Sequence, residues 1–307
     1  MKTILESVPN YSVGRDVETI EAIVEPFREE DDVKLLDYSA DENHNRLVVT
    51  NVGDSDGLYR ATVKSMGVAV DRIDLNEHSG EHPRMGATDV VPFTPVKNSD
   101  MSDAVILAKR VAKEVSKRYD LPIYLYEEAA TKPERKNLAE IRRGEFEKFF
   151  EKIKEPEWKP DFGPRRVHPT AGVTVVGARK PLIAFNVNLR TDDLAVAKDV
   201  ARKVRHSSGG LRYCKAMGVR LEEEKCVQVS MNMTDYEKTS LQQAFELIRV
   251  EAQRHGVEIK ESEIVGLTPS QALLNVAEHY LKLKDFSPDQ VLENRLLEDI
   301  CGHQGIC

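Results

Sequence analysis

Several familiar signals are missing from this chain of 307 residues. It has four cysteines, Cys214, Cys226, Cys301 and Cys307. No two of them form a Cys-x-x-Cys pair or a zinc-finger spacing, so reduced thiols in a cytoplasmic protein are expected. Cys301 and Cys307 lie in a short glycine-containing tail and are candidates to pair under oxidation. No apolar run reaches membrane-spanning length, and the start carries no secretory pattern. A Walker loop and a Rossmann glycine fingerprint are both lacking, which removes the sequence support for a nucleotide cofactor. There is no Ser or Cys in a nucleophile elbow, so covalent acyl-enzyme chemistry is unsupported. Excess positive charge is absent too. The formal net charge is −8, which argues against nucleic-acid binding by bulk charge.

What is present suits a soluble globular enzyme, with 40% hydrophobic and 31% charged residues. Short apolar runs alternate with helical patterns. Strands are expected at 4–8, 34–38, 46–51, 90–96 and 122–127, although Pro92 and Pro95 weigh against the fourth. Helices are expected from Asp16, after 51, and over 100–119, where Ala104, Leu107, Ala108, Val111 and Val115 keep helical spacing. The charged stretch 132–153 reads as one further helix and 155–164 as a connector. The pattern then restarts, with strands at 172–177, 181–188, 219–221 and 226–231 and a helix over 192–204. Two more helices open at the capping signals Thr239–Gln242 and Thr268–Gln271. Each half then holds about four strands and two main helices, the content of a split βαβ sandwich. The expected fold is α+β: two ferredoxin-like subdomains, 1–179 and 180–307, with a ligand cleft between them.

The most informative stretch is Gly80-Glu81-His82-Pro83-Arg84-Met85-Gly86-Ala87. It offers one imidazole that titrates near neutrality, in a loop fixed by proline and opened by glycines. His78 to His82 spells the H-x-x-E-H metalloprotease motif. That motif needs both histidines on one helix face, and Gly80 and Pro83 oppose such a helix. No metal is therefore expected. Pro9-Asn10-Tyr11-Ser12 follows a strand and precedes a helix, where it reads either as an ordinary turn or as a holder for a polar group. Asp37, Asp41 and Glu42 are carboxylates at a strand end, either solvated or functional. Arg165-Arg166 and Arg179-Lys180 concentrate cations, either in turns and salt bridges or as a carboxylate site.

Taken in order, several pieces resemble the glutamate formimidoyltransferase family, the transferase part of formiminotransferase–cyclodeaminase. They are 8–12, 80–86, Tyr124-Leu125-Tyr126, Asp161 to Pro164, Gly177 to Lys180 and Ile183 to Asn188, with weaker similarity continuing to about 280. The resemblance implies transfer of a formimino group between N-formimidoylglutamate and N5 of tetrahydrofolate, which is a co-substrate. It also implies two α/β subdomains with folate between them, a cytoplasmic homodimer, a place in histidine degradation, and a catalytic histidine at His82. The chain ends soon after the transferase region, so no cyclodeaminase domain is expected. Substrate- and folate-binding candidates are Asn10, Asp41, Glu81, Arg84, Gly163, Pro164, Gly172, Gly177, Arg179 and Lys180. Glu81, Asp37 and Asp41 are the carboxylates available to orient a cationic amidine. The family's acidic residue near position 39 is Ser39 here, and Asp41 is its candidate substitute. Residues 165–168 depart from the folate-contacting pattern, and Arg179 and Lys180 are candidates for the folate's glutamate tail. Two alternatives stand beside this reading: formyl transfer from N-formylglutamate, and folate binding without catalysis.

Overall fold

The structure, a computed structural model, describes residues 3–296. Cys301 and Cys307, and any pairing between them, lie outside the described residues. The chain divides into two compact units, one ending at Arg179 and the next starting at Lys180.

The first unit is built on a seven-stranded sheet. Its strands are β1 (Ile4–Ser7), β2 (Asn10–Tyr11), β3 (Val33–Asp41), β4 (Arg46–Gly53), β5 (Thr88–Lys97), β6 (Ile123–Glu127) and β7 (Thr174–Ala178). Helices α1 (Val17–Glu29), α2 (Ser55–Arg72) and α3 (Met101–Arg118) follow β2, β4 and β5. β1 and β2 form one interrupted lane, antiparallel to both β4 and β5. With β3 outside β4, the first five strands and two helices make a βαββαβ core. α3, β6 and β7 extend that core, and β7 lies parallel between β5 and β6.

Alternation sets which face of this sheet is covered. Leu5, Tyr11, Leu47, Val49, Val91 and Phe93 are buried with apolar residues of α1–α3. Each fully buried large side chain contributes about 1.5–3 kcal/mol. Glu6, Asn10, Arg46, Val48, Val90, Pro92 and Thr94 point the opposite way, as their register shows. α3 starts at a capping box in which Asp100 accepts from the Ser102 and Asp103 amides.

The second unit carries β8 (Ile183–Leu189), α6 (Leu194–Val204), β9 (Cys214–Leu221), β10 (Cys226–Met233), α7 (Leu241–Arg254), β11 (Ile259–Val265) and α8 (Ser270–Leu281). The order β11-β8-β10-β9, antiparallel throughout, is the ferredoxin-like arrangement of a βαββαβ chain. Both units thus bear out the α+β, split-βαβ expectation.

Four local expectations need correction. The strand read at 172–177 does not open the second unit; as β7 it completes the first sheet. The fourth strand of the second unit is β11, whose segment Lys260-Glu261-Ser262-Glu263 carries too few apolar residues to signal a strand. The charged stretch 132–153 is no single helix. Gly144 adopts φ +92° between α4 (Leu138–Arg142) and α5 (Glu145–Lys152), which breaks it. Pro269 precedes α8 without any side-chain cap. Pro92 and Pro95, which weighed against β5, are accommodated inside it: Pro95 lies at the irregular end of the pairing with β1, and Pro92 faces the gap between β1 and β2, where its carbonyl accepts from Val8 N–H at 3.3 Å.

Candidate active site

The loop 75–87 is pinned from two sides. On one side it pairs with 170–173: Leu75 N–H donates to Thr170 O, Ala87 N–H to Ala171 O and Val173 N–H to Met85 O, each at 2.9 Å. Gly172 has φ +71°, and a Cβ there would sit 2.2 Å from Met85 O, so only glycine lets these backbones meet. On the other side Ser12 Oγ donates to Gly86 O at 2.8 Å. Gly80 lies against the β3–β4 hairpin tip, where a Cβ would come 2.4 Å from His44 O.

Arg84 clamps the loop. It donates to Glu147 Oε2 at 3.0 Å, and its Nε donates to His78 Nδ1 at 3.3 Å. His78 Nδ1 therefore accepts, its Nε2 carries the proton, and Nε2–H donates to Asn45 O at 2.9 Å. Burial holds the His78 pKa below its ordinary value, with Arg84 and Arg15 adding to the effect. The first histidine of the H-x-x-E-H spelling thus has both ring nitrogens engaged.

His82 has a different setting. Its side chain is 12% exposed, and Nε2 lies 3.8 Å from Asp89 Oδ2 with no hydrogen-bond partner closer. Asp89 is the extra residue of a β-bulge. β2 pairs Asn10 with Val90 and Tyr11 with Thr88, so two steps of β5 face one step of β2. That irregularity turns an acidic side chain toward the loop from an otherwise apolar strand. Asp89 Oδ1 accepts from Met85 N–H at 2.8 Å, and Oδ2 pairs with Arg142 of α4 at 2.5 Å. Burial opposes ionisation of Asp89, but Arg142 and His82 outweigh it and its pKa stays below the ordinary value. For His82 the sign is also downward: burial leads, Asp89 pulls the other way, and Arg142 and Arg46 add to the depression. The result is a neutral imidazole at pH 7, held beside a carboxylate and near two guanidiniums. Such a group takes a proton readily and hands it on. Arg46, at the start of β4, keeps a buried Nε with no hydrogen-bond partner, which suits it to an incoming carboxylate.

The other expected residues fall in three places. Asn10 lies on the sheet face opposite the helices, beside the bulge, with Nδ2 donating to Val8 O at 3.0 Å. Gly172 joins the site through its backbone. Gly163 turns at φ +86° against Leu121 O, with Pro164 after it. Gly177 pairs with Pro92 and Tyr126 in β7, close under the Tyr126 ring. Asp41 and Glu81 are not brought to the imidazole. Asp41 sits at the hairpin tip and accepts from His44 Nδ1 at 2.9 Å and from His44 N–H at 2.8 Å, while the Glu81 side chain is exposed. Asp37 and Ser39 are exposed on β3. Arg165 donates to the Ile153 and Lys154 carbonyls, and Arg166 pairs with Asp120. Arg179 borders the first sheet near Glu6 and Tyr126. Lys180, in the second unit, pairs with Asp235 and Glu237.

Asp89, Arg142 and Arg46 are the residues that sequence reasoning passed over. A lone aspartate opening the apolar run Val90–Phe93 was the available signal, since such a charge needs a partner.

Two split-βαβ units, the first of which brings His82 beside the buried Asp89, form an arrangement able to support general acid–base chemistry. Comparison with known proteins narrows the class. Residues 4–179 match the formiminotransferase domain, N-terminal subdomain, and residues 184–298 match the formiminotransferase domain. A glutamate formimidoyltransferase of Streptococcus pyogenes is 49% identical over 298 residues, 97% of this chain and all of that one. One from Thermoplasma acidophilum is 45% identical, over 96% of this chain and 97% of its own length. A formimidoyltransferase-cyclodeaminase of Dictyostelium discoideum is 41% identical over 98% of this chain and 57% of its own. The chain belongs to the formiminotransferase family and is a transferase.

Proposed function

We propose that the protein moves a formimino group between N-formimidoyl-L-glutamate and N5 of tetrahydrofolate, with His82 as the general acid–base. The observation that carries the mechanism is the neutral imidazole at 3.8 Å from the buried Asp89. In the forward direction N5 attacks the amidine carbon and a C–N bond forms. His82 takes the N5 proton and becomes imidazolium, which Asp89 stabilises and keeps in place. The imidazolium then protonates the glutamate nitrogen, the second C–N bond breaks, and glutamate leaves. Arg46 is placed to meet a carboxylate of the donor, while Arg142 is committed to Asp89. Asn10 and the 163–172 segment, with Gly163, Pro164 and Gly172, frame the folate, and Gly177, Arg179 and Lys180 are its further contacts. Arg84 serves by clamping the loop rather than by touching substrate. The names of the relatives at 49% and 45% identity support the same donor. The reading includes subdomains at 1–179 and 180–307, a cytoplasmic homodimer and a step in histidine degradation.

The test mixes protein, tetrahydrofolate and N-formimidoylglutamate and looks for 5-formiminotetrahydrofolate. Its absence, with folate bound, would reduce the protein to a folate binder. Competing N-formylglutamate against the formimidoyl donor separates the two transfers, and preference for the formyl donor would overturn the reading.

A further inference from the structure

Arg142 holds Asp89 beside the His82 imidazole, and only part of its own guanidinium is tied down. Nη2 pairs with Asp89 Oδ2, while the buried Nε has no hydrogen-bond partner. The aim of the guanidinium therefore depends on where α4 lies. That helix has 5 residues, too few to be stable by its own backbone bonds. Its last carbonyls lack partners within the helix, and the Gly144 turn at φ +92° separates it from α5.

Lys152, the last residue of α5, reaches back across this turn. Nζ donates to Glu140 O at 2.9 Å, to Ile141 O at 2.7 Å and to Arg143 O at 3.2 Å. An ammonium has three N–H donors, so all of them are used. A cation is also favoured at this end of a helix, where the dipole is negative. Aromatic contacts fix the ammonium in place. Nζ lies 3.8 Å from the centroid of the Trp158 ring, and Trp158 O accepts from the hydroxyl of Tyr124 on β6 at 2.5 Å. The Lys152 pKa is pushed down to about 8, by burial first and then by Arg143, with Glu155 and Glu140 opposing. At pH 7 the group is still charged and keeps its three bonds.

We propose that Lys152 is a positioning residue: it staples α4 in place and, through Arg142, sets the charge around His82. Its catalytic meaning rests on the reading of His82 as the base. The charged groups that face the imidazole are Asp89 from β5, Arg142 from α4 and Arg46 from β4. Arg142 depresses the His82 pKa directly and also shares the Asp89 carboxylate. Freeing α4 weakens both effects, so the His82 pKa rises.

The test follows the His82 imidazole by NMR against pH in the whole protein with isotope-labelled histidine. Loss of the signal in His82→Gln identifies it. In Lys152→Met the His82 pKa should rise by about 0.5–1, a partial change in one nearby charge. The acid limb of kcat/KM should move up with it. In an Arg142→Met background the same substitution should add no further rise. A His82 pKa unmoved in Lys152→Met while the melting temperature falls would show a purely structural residue and overturn the proposal. An equal rise with and without Arg142 overturns it too. If Lys152→Met does not fold, Lys152→Gln decides in its place: it keeps one amide donor group near the carbonyls, so the pKa should rise by less, and no rise overturns the proposal. A pKa that rises in a protein whose wild-type rate has no acid limb supports the staple and refutes His82 as the base.

Discussion

Replacing Asp89 by Asn keeps the shape of the bulge and removes one charge. Asp89 Oδ2 is 3.8 Å from His82 Nε2. At an effective dielectric of 20, a full carboxylate–imidazolium pair at that distance attracts by about 4 kcal/mol. That is an upper bound, because Arg142 shares the carboxylate at 2.5 Å. The attraction exists only when His82 is protonated, so it acts on the step in which the imidazole holds the transferred proton. At 1.36 kcal/mol per tenfold, 4 kcal/mol is about a thousandfold. We expect kcat/KM to fall by about 10²–10³ in Asp89→Asn, within the range of general acid–base catalysis. The pH profile gives a second readout. In the proposed mechanism His82 acts as a base when neutral, so activity should fall as pH drops through its pKa. Without Asp89 only Arg142 and Arg46 act on the imidazole by charge, and both depress it. The acid limb should therefore move to lower pH even as the plateau drops. An acid limb that moves up, or a loss under about fivefold with the melting temperature retained, refutes the pairing.

Three further outcomes are expected. Gly172→Ala forces a side chain onto φ +71° with its Cβ 2.2 Å from Met85 O, costing about 1–3 kcal/mol in backbone strain alone. Because Met85 is three residues from His82, turnover should fall with the melting temperature, and a variant with both unchanged would contradict the backbone pairing. Arg135→Met removes the partner of Asp161 in a pair 1% and 8% exposed at 2.5 Å. Leaving that carboxylate unpaired should cost about 3–5 kcal/mol, a drop of about 6–20 °C at 2–4 °C per kcal/mol for a unit this size, measured by calorimetry. His78, His82 and His168 all have pKa values held below the ordinary histidine value, chiefly by burial. The unfolded chain therefore takes up protons first as pH falls below about 6.5. The stability is full above that pH and lost as pH falls through the folded values. A melting temperature flat between pH 7 and pH 5 would contradict this.

How much of this was legible from the residues follows from what each signal depends on. The helices showed themselves because apolar spacing is local: α3 runs over Met101–Arg118 within the expected 100–119. β11 did not, because its apolar Ile259 and Ile264 are separated by the polar run Lys260-Glu261-Ser262-Glu263. β7 reads as a strand in sequence, but its sheet is chosen by register with β5 and β6, whose paired residues lie 85 and 51 positions earlier in the chain. The loop with His82 was legible as glycine, proline and histidine in a fixed order.

The partner of the imidazole was not legible for a related reason. Glu81 is its neighbour in sequence, and a carboxylate next to a histidine invites pairing, yet residues adjacent along an extended loop point apart and Glu81 faces solvent. Asp41 was closer to the family's missing acid, but it spends both oxygens on His44 at the hairpin tip. Asp89 reaches His82 because one extra residue in β5 turns it out of the strand's alternation. A bulge is a mismatch between two strands, so no pattern in either strand alone records it. The same reasoning says how to test the geometry without touching a charge. Deleting Thr88 should remove the extra residue, restore regular pairing of β2 with β5, and carry Asp89 away from His82. The expected result is a protein that still melts cooperatively but has lost the acid limb set by His82 along with its turnover. Retained turnover would show that the bulge does not place the pair.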